Sequence, residues 1–142
     1  MTDCERIRIH RNEHNKFAAM MGIYTSEIRP GYAKGEMTIR PEFENAIHSV
    51  HGGCLFTLAD TICGAAAASY GWKMTTMSSD IHYLKAAIGT KKLYAEATEV
   101  KSGKNVCIYE VLITDDKGDE NVKGTFTFFN LKERLLPEED EV

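Results

Sequence analysis

The chain has 142 residues, 43% of them hydrophobic and 27% charged, which is the size and composition of one ordinary domain with its own core, spanning residues 1–142. A formal net charge of -4 excludes the basic footprint that a nucleic-acid partner requires, so any phosphate contact has to be local. The charged stretch Met1 to Arg11 has no secretory apolar region, and four cysteines without a CxxC pair read as reduced thiols, so the chain is expected in the cytoplasm.

Asn12 is placed to cap a short helix running to about Met21, with Phe17, Ala18, Met20 and Met21 as its apolar face and Gly22 as its end. Two strands follow, Ile23 to Ile28 and Tyr32 to Ile39, joined at Arg29-Pro30-Gly31 in a hairpin. From Gly53 to Tyr70 the sequence is apolar on nearly every face, which predicts a buried helix. A membrane span is the rival reading, but the segment is short, alanine-rich and carries Asp60 midway, so no membrane partner is expected. Four strands complete the chain: Met74 to Leu84, Leu93 to Val100, Val106 to Thr114 and Val122 to Leu131. Polar glycine-containing turns at Ser102-Gly103-Lys104-Asn105 and Asp115-Asp116-Lys117-Gly118 make them hairpins. The acidic tail Glu138 to Glu141 reads as a solvated, frayed end.

Helix, two strands, one long buried helix and four strands form an α+β pattern, with a single antiparallel sheet wrapped around the central helix. Unpaired edge strands, which a dimer can join edge to edge, predict an oligomer; the expected assembly is a homodimer built into a homotetramer.

Chemistry concentrates at the start of the buried helix. The first N–H groups of a helix lack intrahelical partners and carry partial positive charge, so a glycine such as Gly52 or Gly53 lets a ligand carbonyl approach them. That makes an oxyanion site. Asp60 follows Gly53 by about two turns and so lies on roughly the same helix face. A carboxylate in so apolar a helix has to be paired, hydrogen-bonded or working; a structural bond to Thr57, Thr61 or a neighbouring chain is the bland alternative. His48, His51 and Cys54 have an HxxHxxC spacing, with His82 a conceivable fourth ligand, but no second paired motif supports zinc and no metal is expected. Cys54 beside His51 at a helix start has the setting of an activated thiol, although packing in the core is the preferred role. Phe126, Phe128 and Phe129 read as strand packing.

The run Asn45-Ala46-Ile47-His48-Ser49-Val50-His51-Gly52-Gly53, with Leu58-Ala59-Asp60 following, resembles the signature of the PaaI-type (phenylacetate-pathway) hotdog-fold acyl-CoA thioesterases. The resemblance implies hydrolysis of an acyl-CoA thioester to free acid and coenzyme A, with no bound cofactor beyond the coenzyme A of the substrate. It implies that Gly52 N–H and the Asn45 side chain polarise the carbonyl, that His51 holds the turn, and that Asp60 comes from the adjoining subunit as general base or nucleophile. It places Thr76, with Ser78 as the fallback, where a hydroxyl orients water, and offers Gly53, Lys85, Lys101, Gly103, Lys104 and Asn105 to the substrate and its phosphates. A non-catalytic acyl-CoA-binding module and a hotdog hydratase are the alternative readings.

Overall fold

The computed structural model describes residues 1–137; the acidic tail from Glu138 lies outside them. Helix α1 spans Asp3–His14 and α2 Lys16–Met20; strands β1 (Ile23–Arg29) and β2 (Tyr32–Thr38) form the expected hairpin. The buried helix α3 covers Gly52–Ala67, continued by a 3-10 turn to Tyr70. Strands β3 (Trp72–Tyr83), β4 (Lys92–Ser102), β5 (Val106–Asp115) and β6 (Glu120–Arg134) follow. All six strands join one antiparallel sheet in the order β1-β2-β4-β5-β6-β3, so β3 lies on the edge opposite β1.

The N-terminal expectation needs correcting. The helix begins at Asp3, where the Thr2 hydroxyl accepts the Glu5 N–H at 3.1 Å; acidic residues in its first turn and basic ones in its last suit the helix dipole. Asn15 caps the short α2 through Ala18 N–H. Asn12 has another task. Its amide donates to Thr25 O and accepts from Thr25 N, both at 2.9 Å, and so supplies the outer edge of β1 with a substitute strand partner. One edge of the sheet is covered in this way by α1, while β3 keeps its outer edge open and most of its residues exposed.

Leu58, Ala59, Ile62, Cys63 and the run Ala65 to Ala67 are fully buried against Ala33, Met37, Leu93, Ala97, Tyr109 and Phe126 of the sheet. Close approach explains the small residues: a Cβ on Gly35 of β2 would stand 2.3 Å from Ile62 Cδ1. The helix segment Gly52–Tyr70 is apolar enough by length and composition to cross a membrane, and it satisfies that test as a core helix, because the sheet buries most of it.

A bulge between Thr76 and Ser78 in β3 decides which side chains face the helix. Thr76 stays opposite the buried Phe128, on the helix side, whereas Ser78 pairs with Thr127.

Candidate active site

The loop Asn45–Ser49 is built on one side chain. Asn45 Oδ1 accepts the N–H groups of Ile47 and Ser49, each at 3.0 Å, and Nδ2 donates to Ser49 Oγ at 2.8 Å. Among the described residues one amide hydrogen of Asn45 has no partner. His48 takes a left-handed φ of 64°, closing the loop with its side chain in solvent, where it cannot join His51 and Cys54 around a metal. Among the described residues no three metal-ligating side chains converge.

His51 is the N-cap of α3. Its backbone N–H is tied to Phe43 O at 2.8 Å, its carbonyl accepts from Cys54 and Leu55, and Nδ1 accepts the Gly53 N–H at 2.8 Å, so the ring is the neutral tautomer at that nitrogen. This consumes the start of the helix except for one donor: the Gly52 N–H has no partner among the described residues. The ring of Tyr83 covers Gly52, with its hydroxyl donating to Gly52 O at 3.3 Å.

Asp60 lies half-buried in a cleft of about 370 Å³ between α3, the start of β3 and the N-terminal helices. Thr76 Oγ1 donates to its Oδ1 at 2.7 Å, a bond that fixes one oxygen and leaves the other without a partner among the described residues. The alternative bonds to Thr57 and Thr61 do not form: the Thr57 hydroxyl donates to Gly53 O, and Thr61 contributes its carbonyl to Arg11. Phe17, Phe56, Met74 and Phe128 give the cleft apolar walls, so Phe128 is more than strand packing. Burial, then Asp60 nearby, pushes the Cys63 thiol far above its ordinary range, and burial does the same more mildly for Cys54. Cys54 is a core thiol, not an activated one.

Two residues escaped sequence reasoning. Tyr83 is expected only as a strand residue, and Arg11 precedes the helix expected from Asn12 onward, whereas α1 begins at Asp3 and includes it. Arg11 is held against Thr61 O at 3.2 Å in the Asp60 cleft. A larger cleft of about 460 Å³ lies among Asp80, His82, Glu96, Glu110 and Lys123 of the sheet; it is charged, includes no residue of α3, and its Glu96 carboxylate is already held by the Tyr32 hydroxyl at 2.6 Å.

The chain separates what the sequence grouped. Gly52 and Asp60 are eight positions apart on α3, about 12 Å along its axis at 1.5 Å per residue. Lys85 follows β3 and is paired with Asp119 at 2.8 Å, while Gly103, Lys104 and Asn105 lie in the β4–β5 turn, beside Asn130 at the opposite end of the sheet. Eight residues of β5 separate those ends, roughly 25 Å at 3.3 Å per residue.

The sequence profile of the thioesterase superfamily matches residues 48–122. An Archaeoglobus fulgidus protein named "Putative esterase" is 35% identical over 85% of this chain and 80% of its own length. Acyl-coenzyme A thioesterase PaaI of Escherichia coli is 30% identical over 74% of this chain and 75% of its own. The E. coli PaaI structure superposes with a TM-score of 0.89 over 92% of this chain and 95% of that one, at 24% identity. A Streptococcus pneumoniae "Hypothetical Thioesterase Protein", solved with coenzyme A, has a TM-score of 0.79 at 30% identity, covering 87% of this chain and 98% of its own. It has also been solved with an aspartate and with a threonine replaced by alanine, at positions separated by 16 residues, as Asp60 and Thr76 are here. Sheet order, central helix and the matched residues together make the chain a member of the thioesterase superfamily with the PaaI-type hotdog fold.

Proposed function

We propose that the protein hydrolyses acyl-CoA thioesters at a site shared between two chains, with Asp60 supplying the attack and the Gly52 N–H of the other chain receiving the carbonyl oxygen. The observation that carries this is a separation. A carbonyl has to lie about 3 Å from its donor and within reach of the attacking group, whereas Gly52 and Asp60 of one chain are about 12 Å apart along α3. Pairing the open edge of β3 with its own copy would run the two α3 helices in opposite directions and carry the glycine end of one toward the carboxylate of the other. The dimer so formed is the unit of the expected homotetramer.

In this scheme Thr76 holds Asp60 Oδ1, the free oxygen faces the substrate, and the uncommitted amide hydrogen of Asn45 adds a second donor to the carbonyl. His51 acts on the turn by fixing Gly53, so that Gly52 alone is left to the ligand. Asp60 either takes a proton from water, whose oxygen adds to the carbonyl, or attacks it directly to give a mixed anhydride that water then opens. Both routes break the C–S bond and release coenzyme A, its sulfur protonated, and the free acid. The scheme uses no metal or bound cofactor. Coenzyme A in the S. pneumoniae relative, and the shared spacing of its substituted aspartate and threonine, support the substrate and the Asp60–Thr76 pair. Across such a dimer Lys85 of one chain and the Gly103–Asn105 turn of the other could approach one set of phosphates. Reduced cysteines and a coenzyme A substrate suit a cytoplasmic protein.

The test is complementation. Asp60→Asn and Gly52→Pro each abolish coenzyme A release, and subunits mixed at equal amounts regain about a quarter of wild-type turnover, since half of the dimers then hold one intact site of two. No recovery in mixtures shown to exchange subunits refutes the shared site. Tight acyl-CoA binding by wild type without release would identify a binding module instead.

A further inference from the structure

Arg11 is the feature that hydrolysis of an ordinary fatty acyl thioester does not use. Its guanidinium lies in the cleft of Asp60, whose walls include Phe17, Phe56 and Phe128. It makes one hydrogen bond, Nη2 to Thr61 O at 3.2 Å, and its buried Nε has no partner among the described residues. The helix leaves room for it: a Cβ on Gly64 would stand 3.2 Å from Nη2. Gly64 is one turn, about 6 Å of helix, beyond Asp60 and away from the Gly52 end, and the guanidinium sits between it and Thr61 O, on the side of the carboxylate away from Gly52. An acyl chain attached at Asp60 and running between the aromatic walls ends there.

We infer that Arg11 reads a carboxylate at the far end of the acyl group, so that the cleft is made for coenzyme A half-thioesters of short dicarboxylic acids. This rests on the thioesterase reading and deepens it. A guanidinium offers five N–H donors in a fixed fork suited to a carboxylate. Burial pulls the Arg11 pKa below the ordinary arginine value, against the pull of Asp60, but an arginine does not lose its proton in a protein and has to keep its charge in a poorly hydrated place. Asp60 cannot be its lasting partner if its free oxygen attacks the thioester. A methyl-ended chain would strip water from the guanidinium and return nothing; a terminal carboxylate returns a charged pair. A span of at most about 6 Å along the helix calls for a short acyl chain.

The experiment compares kcat/KM for coenzyme A release from adipoyl-CoA and hexanoyl-CoA, equal in length and differing in the terminal group, with phenylacetyl-CoA as a third ester. Wild type is expected to prefer adipoyl-CoA by roughly tenfold or more, the factor set by one buried charged group left unpaired. Arg11→Met brings the ratio of the two kcat/KM values close to one, chiefly through adipoyl-CoA, while an unchanged thermal unfolding midpoint shows that the variant is folded; Arg11→Lys retains part of the preference. Wild type favouring hexanoyl-CoA overturns the inference, as does an equal loss on both esters in Arg11→Met, the mark of a structural role. Hydrolysis of phenylacetyl-CoA alone overturns the inference and leaves the thioesterase reading standing. Silence on all three esters removes both.

Discussion

Replacing Gly52 by proline deletes one atom of the proposed chemistry and almost nothing else. Gly52 is the first residue of α3, the helix position where proline is best tolerated, because its fixed φ suits a helix and the N–H it lacks has no intrahelical partner. The preceding His51 has φ -59° and ψ 137°, the extended conformation that a following proline prefers. The added Cβ meets the Tyr83 ring at 3.6 Å, an ordinary contact. Stability should therefore change by less than about 1 kcal/mol, with the stiffer unfolded chain acting in favour of the variant. The catalytic effect should be far larger: loss of one oxyanion donor lowers kcat by roughly 10²–10³, about 2.7–4 kcal/mol. Gly52→Ala keeps the N–H and separates bulk from hydrogen bonding. The assay is coenzyme A release read with a thiol reagent, beside thermal unfolding and a mass measurement in solution. A Gly52→Pro variant that unfolds at the wild-type temperature and turns over within about threefold of wild type refutes the assignment of this N–H.

Four further outcomes are expected. Thr76→Val keeps a β-branched residue in β3 but removes the bond to Asp60; at an exposed site this is worth about 1–2 kcal/mol, so kcat should fall roughly 5- to 30-fold while Thr76→Ser stays near wild type. Gly35→Ala drives a methyl to 2.3 Å from Ile62 Cδ1 and 2.8 Å from Tyr24 O, so denaturant titration should record a loss of about 1–3 kcal/mol, only partly recovered by Ile62→Val because the carbonyl clash remains. Burial raises the thiol pKa of Cys54, Cys63 and Cys107, so alkylation at neutral pH, read by mass spectrometry, should leave these three unmodified until denaturant is added. Burial alone would raise the Asp115 pKa, but hydrogen bonds from Asp119 N, Asn121 and Lys117 N outweigh it and hold the pKa low. A depressed carboxylate stabilises the fold above its unfolded pKa, about 3.9, and loses that contribution as pH falls through the folded value. The stability gap between wild type and Asp115→Ala should accordingly be full at pH 7 and shrink below pH 4.

Much of this protein is local and therefore legible in the chain itself. Alternating apolar strands, glycine-bearing turns and an apolar run too long for a strand dictate a sheet and a buried helix, because side-chain period and turn geometry depend on neighbours in sequence. The helix start with its glycines and one buried acid is local in the same sense. The N-terminal helix was not: its face is mostly charged, and only Ile7 and the clamp of Asn12 on Thr25 reveal what it covers. Thr76 rather than Ser78 faces Asp60 because a bulge shifts the register of β3, and no propensity encodes which of two hydroxyls remains on the inner face. The committed and uncommitted donors of Asn45 and Gly52 likewise emerge only when each N–H is followed to its partner in space. Above all, spacing along the chain put Gly53 and Asp60 on one helix face, and the helix rise then holds the neighbouring Gly52 N–H about 12 Å from Asp60. Local sequence dictates the elements and the chemical groups, whereas folding in space selects which of them meet, because contact depends on register, edge order and distance that no local signal carries.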